Sequence, residues 1–485
     1  MRFLANHRVR PAIIALVGLL VMLWNLGTPS LWQDEAATIA ASNRPLPSLF
    51  RLLGNIDAVH GTYYFFIHFW GQAFGFSPFA LRVPSAIAVA VSAYLVYRLA
   101  IHLELGGRVA TLASVVFLAL PRTHMAGSEA RSNAFTATLA LALAITLVLA
   151  LRRRGWLVWL PYALVATLSL YLFIFSGLIF LAFGIYLALK HRESLKAFAI
   201  ASASALLLAA PVFIFGYLER DQVGWIARKP ISEYLWESLV AVDYNRAWPM
   251  AILGLAFCLV GVLRRAPLVL ILWATVPSAI LIAVSMVGTP YFVDHYLTFT
   301  TGATAILIAY GICRAVPSES LLLAMLPNRP KTLALLPTFV ALVLLLVSLP
   351  SFIESREPIA KGTEWSAIAK TIQLSSQPGD AILLPDAVSK SSRALDLMVV
   401  AYEPEFADRI DLTLKAKPAD TAQIFGSRVP VSSVAEPASH RVLVVSDMAD
   451  GNEMLNHLPV WLTQNFQQIN SMPFNTARVT VFERR

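Results

Sequence analysis

Residues 11–27 read PAIIALVGLLVMLWNLG and run directly into residues 28–42, TPSLWQDEAATIAAS. The first stretch carries no charged side chain, and Arg2, Arg8 and Arg10 stand before it. A helix of about 20 mainly apolar residues crosses a bilayer, and runs near 17 still suffice. A basic start followed by an apolar run also marks a secretory leader. Thr28-Pro29-Ser30 is a poor cleavage site, however, so the stretch reads as an uncleaved first span.

Outward from it the pattern repeats. Further apolar runs lie near 81–101, 107–121, 131–151, 156–172, 174–189, 197–217, 248–263, 267–286, 294–313 and 332–349, about eleven in all. Residues 156–189 form one long apolar stretch, which divides around Phe173. Of the 485 residues, 57% are hydrophobic and only 14% are charged. A soluble domain carries about 25% charge. The fold class expected is therefore an α-helical polytopic membrane protein. The two cysteines, Cys258 and Cys313, both sit in apolar runs and read as small fillers rather than as a disulfide or a zinc site.

The formal net charge of +9 has a topological meaning. Lysine and arginine collect in cytoplasmic loops. With the N-terminus inside, that side takes Arg108, Arg152, Arg153, Arg154, Lys190, Arg192, Lys196, Arg264, Arg265, Arg314, Arg329 and Lys331. The other side takes most loop carboxylates, among them Asp34, Glu35, Asp57, Glu129, Glu219, Glu237, Asp243 and Asp294. No nucleic-acid face is implied. An odd number of spans divides the chain into a transmembrane part, 1–349, with a long first external loop at 28–80, and an extracytoplasmic part, 350–485. In the latter, short apolar strands at Ala381–Leu384 and Val442–Val445 alternate with helical patterns near 363–373 and 452–467, as in a small α/β domain.

Chemistry has to come from the outer loops. Asp34 and Glu35 stand just after the first span, where a lipid-borne donor can meet a water-borne acceptor. Asp34 equally reads as a helix N-cap, the commoner role for an aspartate in front of a helical pattern. Next come a short amphipathic stretch, Leu46–Gly54, then Asp57 to Tyr64 and an apolar helix through His68 and Trp70. Glu129-Ala130-Arg131-Ser132-Asn133 opens the fourth span, either as an ordinary surface ion pair, worth little, or as an acid and base facing the first loop. Arg220, Arg228 and Lys229 surround Trp225 in the 218–247 loop. They are either solvated side chains or a phosphate site, since arginine presents a fork to phosphate oxygens. Asp294-His295-Tyr296 opens the tenth span. There is no Walker loop, dinucleotide fingerprint, HExxH or CxxC pair, which argues against an ATP-driven transporter and a zinc protease.

Together these loops resemble the GT-C superfamily of membrane glycosyltransferases, in the branch of protein O-mannosyltransferases and bacterial aminoarabinose transferases. The carriers are Asp34-Glu35, His60-Gly61-Thr62-Tyr63-Tyr64, Leu81-Arg82-Val83-Pro84-Ser85 and Glu129-Ala130-Arg131-Ser132-Asn133, with His295-Tyr296-Leu297 at the place of a late Arg-Tyr-Leu motif. Gly61-Thr62 replaces a proline pair, Asn133 a tyrosine and His295 an arginine.

The resemblance implies sugar transfer, with inversion, from a polyprenyl-phosphate donor to an acceptor hydroxyl on the outer side of a bacterial plasma membrane. The acceptor would be a protein, a lipid or a cell-wall glycan. Asp34 would be the general base, with Glu35 beside it. Arg131, Arg220, Arg228, Lys229 and His295 would hold the donor phosphate, and Asp57, His60, Tyr63, Tyr64, Glu129 and Tyr296 the sugar or acceptor. A divalent metal (Mg2+, Mn2+ or Ca2+) would be the cofactor where one is used, and no ligand set for it is evident. Two other classes stand beside this reading: a flippase of lipid-linked sugars and a non-catalytic assembly protein. Transporters place ionisable groups near the bilayer midplane, whereas here they sit at helix ends and in loops.

Overall fold

The structure is a computed structural model that describes residues 9–315, 336–385, 390–447 and 458–485. Arg2, Arg8, Arg329, Lys331, the first residues of the 332–349 run and the helical pattern over 452–457 lie outside the described residues. In chain order the helices of the first part are α1 (Val9–Leu23), α2 (Gln33–Ser42), α3 (Leu46–Leu53), α4 (Gly61–Phe74), α5 (Pro78–His102), α6 (Gly106–Ala119), α7 (Pro121–Gly127) and α8 (Asn133–Leu151). Then follow α9 (Leu160–Leu172), α10 (Leu178–Lys190), α11 (Leu195–Leu208), α12 (Ala210–Leu218), α13 (Ile231–Trp236), α14 (Trp248–Leu263), α15 (Leu268–Val287), α16 (Thr301–Ala315) and α17 (Leu336–Glu354).

Five of the described helices are long and apolar enough to cross a membrane, and seven if each bent pair is one span. The bends have local causes. α6 and α7 meet at 64°, where Leu120 is extended at ψ 128° because the residue before Pro121 avoids the helical region. α11 and α12 meet at 54°, just before Pro211, which has no N–H for the helical ladder. The long apolar stretch breaks at Phe173, extended at φ −164° and ψ 113°, as its sequence suggested.

The chain divides into two compact units. The first comprises Met1–Trp24, Val59–Thr62 and Arg82–Ser355. Its innermost helix is α16, buried from Thr301 to Ile312. α14 reaches it through glycine: a Cβ on Gly311 would collide with the Phe257 carbonyl, and one on Gly261 would lie 2.9 Å from the Leu307 carbonyl. Small residues at such crossings let two backbones touch, the main way helices gain packing in lipid.

The second unit comprises Asn25–Ala58, Tyr63–Leu81 and Arg356–Arg485. Most of the first external loop therefore packs with the C-terminal part. The C-terminal sheet has the order β2 (Ile410–Asp411), β1 (Ala381–Leu383), β5 (Arg441–Asp447), β7 (Ala477–Arg484) and β6 (Phe466–Pro473), while β3 (Leu414–Ala416) and β4 (Ser427–Arg428) pair separately. The first three run parallel, and β5, β7 and β6 run antiparallel. Ile382 lies opposite Leu443, and Leu443 opposite Val481. Ala381, Leu383, Val442, Val444, Leu462 and Phe466 form the core beneath it. The helix Trp365–Ser375 matches the 363–373 pattern. In the 452–467 pattern the described helix is only Val460–Asn465, and Phe466 already begins a strand.

Candidate active site

In the first unit, titratable side chains from distant segments of the chain come together. His60 ends a short 3-10 turn (Ala58–His60) in front of α4. Its Nε2 lies 3.4 Å from Nη2 of Arg131. A guanidinium only donates, so Nε2 accepts and the ring is neutral with its proton on Nδ1. Burial, then the charges of Arg131 and His295, hold the His60 pKa well below the ordinary imidazole range.

The backbone that presents Arg131 is pinned by the Leu81–Ser85 motif. Ser85 Oγ donates to the carbonyl of Glu129 at 2.6 Å and reaches that of Arg131 at 3.5 Å. Asn133 Nδ2 donates to Glu129 Oε2 at 3.3 Å. Asn133 thus serves the turn as a hydrogen-bond donor, and Glu129 is buried against it.

A second group of ions stands under His295. Arg122, buried on α7, donates to the carbonyls of Val242 and Ala241, both at 2.7 Å. It also pairs with Asp294 at 3.0 Å. Arg246 joins Asp294 to Glu237 at 3.2 and 3.4 Å. Asp294 Oδ1 in turn accepts from the His295 backbone N–H at 2.7 Å and lies 3.3 Å from its Nδ1. This network orients His295. Its members are outer-loop charges of the sequence, but Arg122 reaches Asp294 from more than a hundred residues away and Arg246 reaches it across 48, so no local pattern signals the network.

Beside His295 the helix break at Phe173 builds an aromatic wall. Tyr296 stacks on Phe175 with ring centroids 5.5 Å apart and meets Phe173 edge-on at 5.4 Å. Tyr291 packs on Phe175 at 5.8 Å. The sequence reading includes Tyr296 but misses the two phenylalanines, which look like ordinary span residues.

In the second unit Asp34 and Glu35 occupy the first turn of α2. The N-cap is Trp32, without a side-chain cap bond, so the capping role expected for Asp34 is corrected: the aspartate is one full residue inside the helix. Both carboxylates then complement the positive end of the helix dipole. Glu35 is fully buried while Asp34 is half-buried, so of the pair Asp34 is the one with an exposed face. Asp57 adopts φ 62°, a left-handed conformation that aspartate tolerates, and accepts from the Tyr64 hydroxyl at 2.8 Å. Tyr63 and Tyr64 are both buried.

The remaining expected phosphate ligands have other partners. Lys229 pairs with Glu237 at 2.7 Å and Glu233 at 3.3 Å, and these carboxylates raise its pKa against the effect of burial. Arg228 donates to the Gly288 carbonyl at 2.6 Å. Arg220 lies over the Tyr217 ring at 4.6 Å and donates to the Tyr217 carbonyl. Of the cations expected at the phosphate, Arg131 meets His60 and His295 stands on Asp294; Lys229 belongs to the carboxylate network, and the bonds of Arg220 and Arg228 go elsewhere. Among the described residues, no group of three or more His, Cys, Asp and Glu side chains gathers to hold a metal ion.

Residues 62–215 match the family model described as dolichyl-phosphate-mannose-protein mannosyltransferase. Among solved structures the chain is similar to ArnT from Cupriavidus metallidurans in the apo state, with 11% identity, a TM-score of 0.59 and 97% of each chain covered. No curated protein matches it. The resemblance to GT-C membrane glycosyltransferases thus holds both in the family model and in the fold.

Proposed function

We propose that this chain, a membrane protein with the ArnT fold and a mannosyltransferase-model segment, is a glycosyltransferase using a polyprenyl-phosphate sugar. It transfers mannose or a similar hexose or pentose to an acceptor hydroxyl on the extracytoplasmic face, with inversion. The observation that carries this reading is the pairing of Arg131 with His60, whose imidazole also feels the charge of His295, together with the aromatic wall at Tyr296.

The chemistry asks for such a cluster. The acceptor oxygen attacks the anomeric carbon as the carbon–oxygen bond to phosphate breaks. Positive charge grows on the sugar and negative charge on the leaving phosphate, as in glycoside cleavage. Fixed donors aimed at the developing anion are usually the largest catalytic contribution. Arg131 supplies a permanent charge. His60, neutral in the free protein, is favoured as imidazolium once a phosphate arrives, because the anion offsets the Arg131 charge. Asp34 takes the acceptor proton late in the reaction and works mainly by positioning. Among the described residues no group of three or more His, Cys, Asp and Glu side chains is gathered for Mg2+, Mn2+ or Ca2+.

The test is transfer of labelled sugar from polyprenyl-phosphate-mannose in membranes, wild type beside Asp34→Asn. Transfer by wild type alone is expected. Equal transfer by both removes Asp34 as the base. Transfer by neither, repeated with an aminoarabinose donor and a hexose series, would overturn the proposed reaction.

A further inference from the structure

We infer that the first unit holds one anionic glycerophospholipid in a groove between α1, α6 and α17, separate from the donor lipid. Two cavities of about 370 and 590 Å³ adjoin there and share Val115. The smaller is lined by Arg10, Arg108 and Thr111, with Arg10 Nη1 donating to Thr111 Oγ1 at 3.3 Å. The larger is lined almost wholly by apolar side chains, among them Ile14, Val17, Leu118, Leu346 and Leu349. His124 and Phe352, edge-on at 5.0 Å, stand at its far end.

Arginines at helix ends are required by topology alone, and apolar side chains facing lipid are expected of any span. What neither explains is their continuity: a cationic recess opens into an apolar channel along the same three helices. The channel is the length of one lipid tail. From Ile13 to Met22 α1 rises about 14 Å, against about 15 Å for the hydrocarbon of one leaflet. The recess also takes in Gly107 and Arg108 in the first turn of α6, where the helix dipole adds to the attraction for an anion.

The direction of the helices separates this lipid from the donor. α6 leads away from Arg108 to Ala119, and α7 continues to the turn that carries Glu129 and Arg131. The fourteen residues of α6 span about 21 Å. A donor whose phosphate meets Arg131 cannot place that same phosphate at Arg10 and Arg108. The occupant with its head at the arginines belongs to the opposite leaflet, and an anionic head with fatty acyl tails fits both ends of the groove.

The experiment is native mass spectrometry of the full-length protein in detergent, with added phosphatidylglycerol, phosphatidylcholine or undecaprenyl phosphate. One retained phosphatidylglycerol is expected, in preference to phosphatidylcholine. Arg10→Gln and Arg108→Gln should each weaken its retention on the order of fivefold, the scale of one basic residue at an anionic membrane surface. Val115→Trp, which fills the join between the cavities, should abolish it while gel-filtration behaviour and sugar transfer persist. Equal retention of both phospholipids, unchanged in the arginine variants, would overturn the inference. So would one-for-one displacement of phosphatidylglycerol by undecaprenyl phosphate, which would make the groove the donor's.

Discussion

Arg131 is the side chain on which the proposed chemistry depends most, because it is the permanent charge in contact with His60. Removing one donor from an anion-stabilising site typically costs about 10²–10³ in turnover, and Arg131→Gln should lower transfer by that order, measured as kcat with polyprenyl-phosphate-mannose. Arg131→Lys should recover only part of the loss, since an ammonium cannot present the planar fork. His60 gives a pH signature. Its folded-state pKa lies below the unfolded value of about 6.5, so the unfolded chain binds the proton more readily between the two. The stability this neutral ring contributes is fully present above about pH 6.5 and is lost as pH falls below it. Thermal unfolding should therefore show a drop between pH 7.5 and 5.5 that is smaller in His60→Gln. His60, Glu129 and Arg131 were legible as motif residues. Arg122, Asp294 and Arg246 were legible only as loop charges, because which charge meets which is decided by helix packing.

At the scale of elements, the C-terminal part holds the strand of chain that leads into α2. The Leu31 N–H donates to the Tyr402 hydroxyl at 2.9 Å, and Thr363 Oγ1 donates to the Leu31 carbonyl at 3.0 Å. The Ser30 N–H donates to the Pro358 carbonyl at 2.8 Å. Arg44, just after α2, donates to the carbonyls of Thr421 and Gln423 at 3.3 and 3.0 Å. Asp34 lies between these two anchored points. Tyr402→Phe leaves the buried Leu31 N–H without its acceptor, a loss of about 1–3 kcal/mol. The expected result is a lowered Tm and a several-fold lower kcat at little-changed KM, since an ill-placed base affects the reaction more than binding; an unchanged kcat would show that α2 holds its position without Tyr402. The helices themselves were readable from apolar periodicity, and α3 and α4 appear where the amphipathic and apolar patterns stood. The attachment of this loop to the C-terminal part was not, because each of these bonds uses a backbone N–H or carbonyl on at least one side, which leaves no trace in residue identity.

For the whole molecule, the charge distribution predicts sidedness. By the positive-inside rule Arg152, Arg153 and Arg154 are expected on the cytoplasmic face and residues 350–485 on the other. In a variant with Cys258 and Cys313 replaced by serine, a cysteine at Gln468 should react with an impermeant maleimide in intact cells. One at Arg153 should react only after lysis. The reverse labelling would invert the topology and remove the extracytoplasmic site. Gln468 is exposed on the edge strand β6, so its reactivity reports location rather than burial.

The sequence by itself determined the solvent of each segment. Long apolar runs belong in lipid, charged loops at its surfaces and the mixed C-terminal residues in water, because transfer free energies depend on side-chain composition and hardly on fold. It also placed the motif residues, since spacing along one helix start is local. Only the tertiary structure decided that Asp34 sits inside α2 rather than capping it, that Lys229 is neutralised by Glu237 and Glu233, and that His60 meets Arg131. The first two turn on where a helix starts and how a loop folds, the third on a pairing 71 residues apart in the chain, and a polar side chain takes whichever partner the packed backbone brings within hydrogen-bond reach.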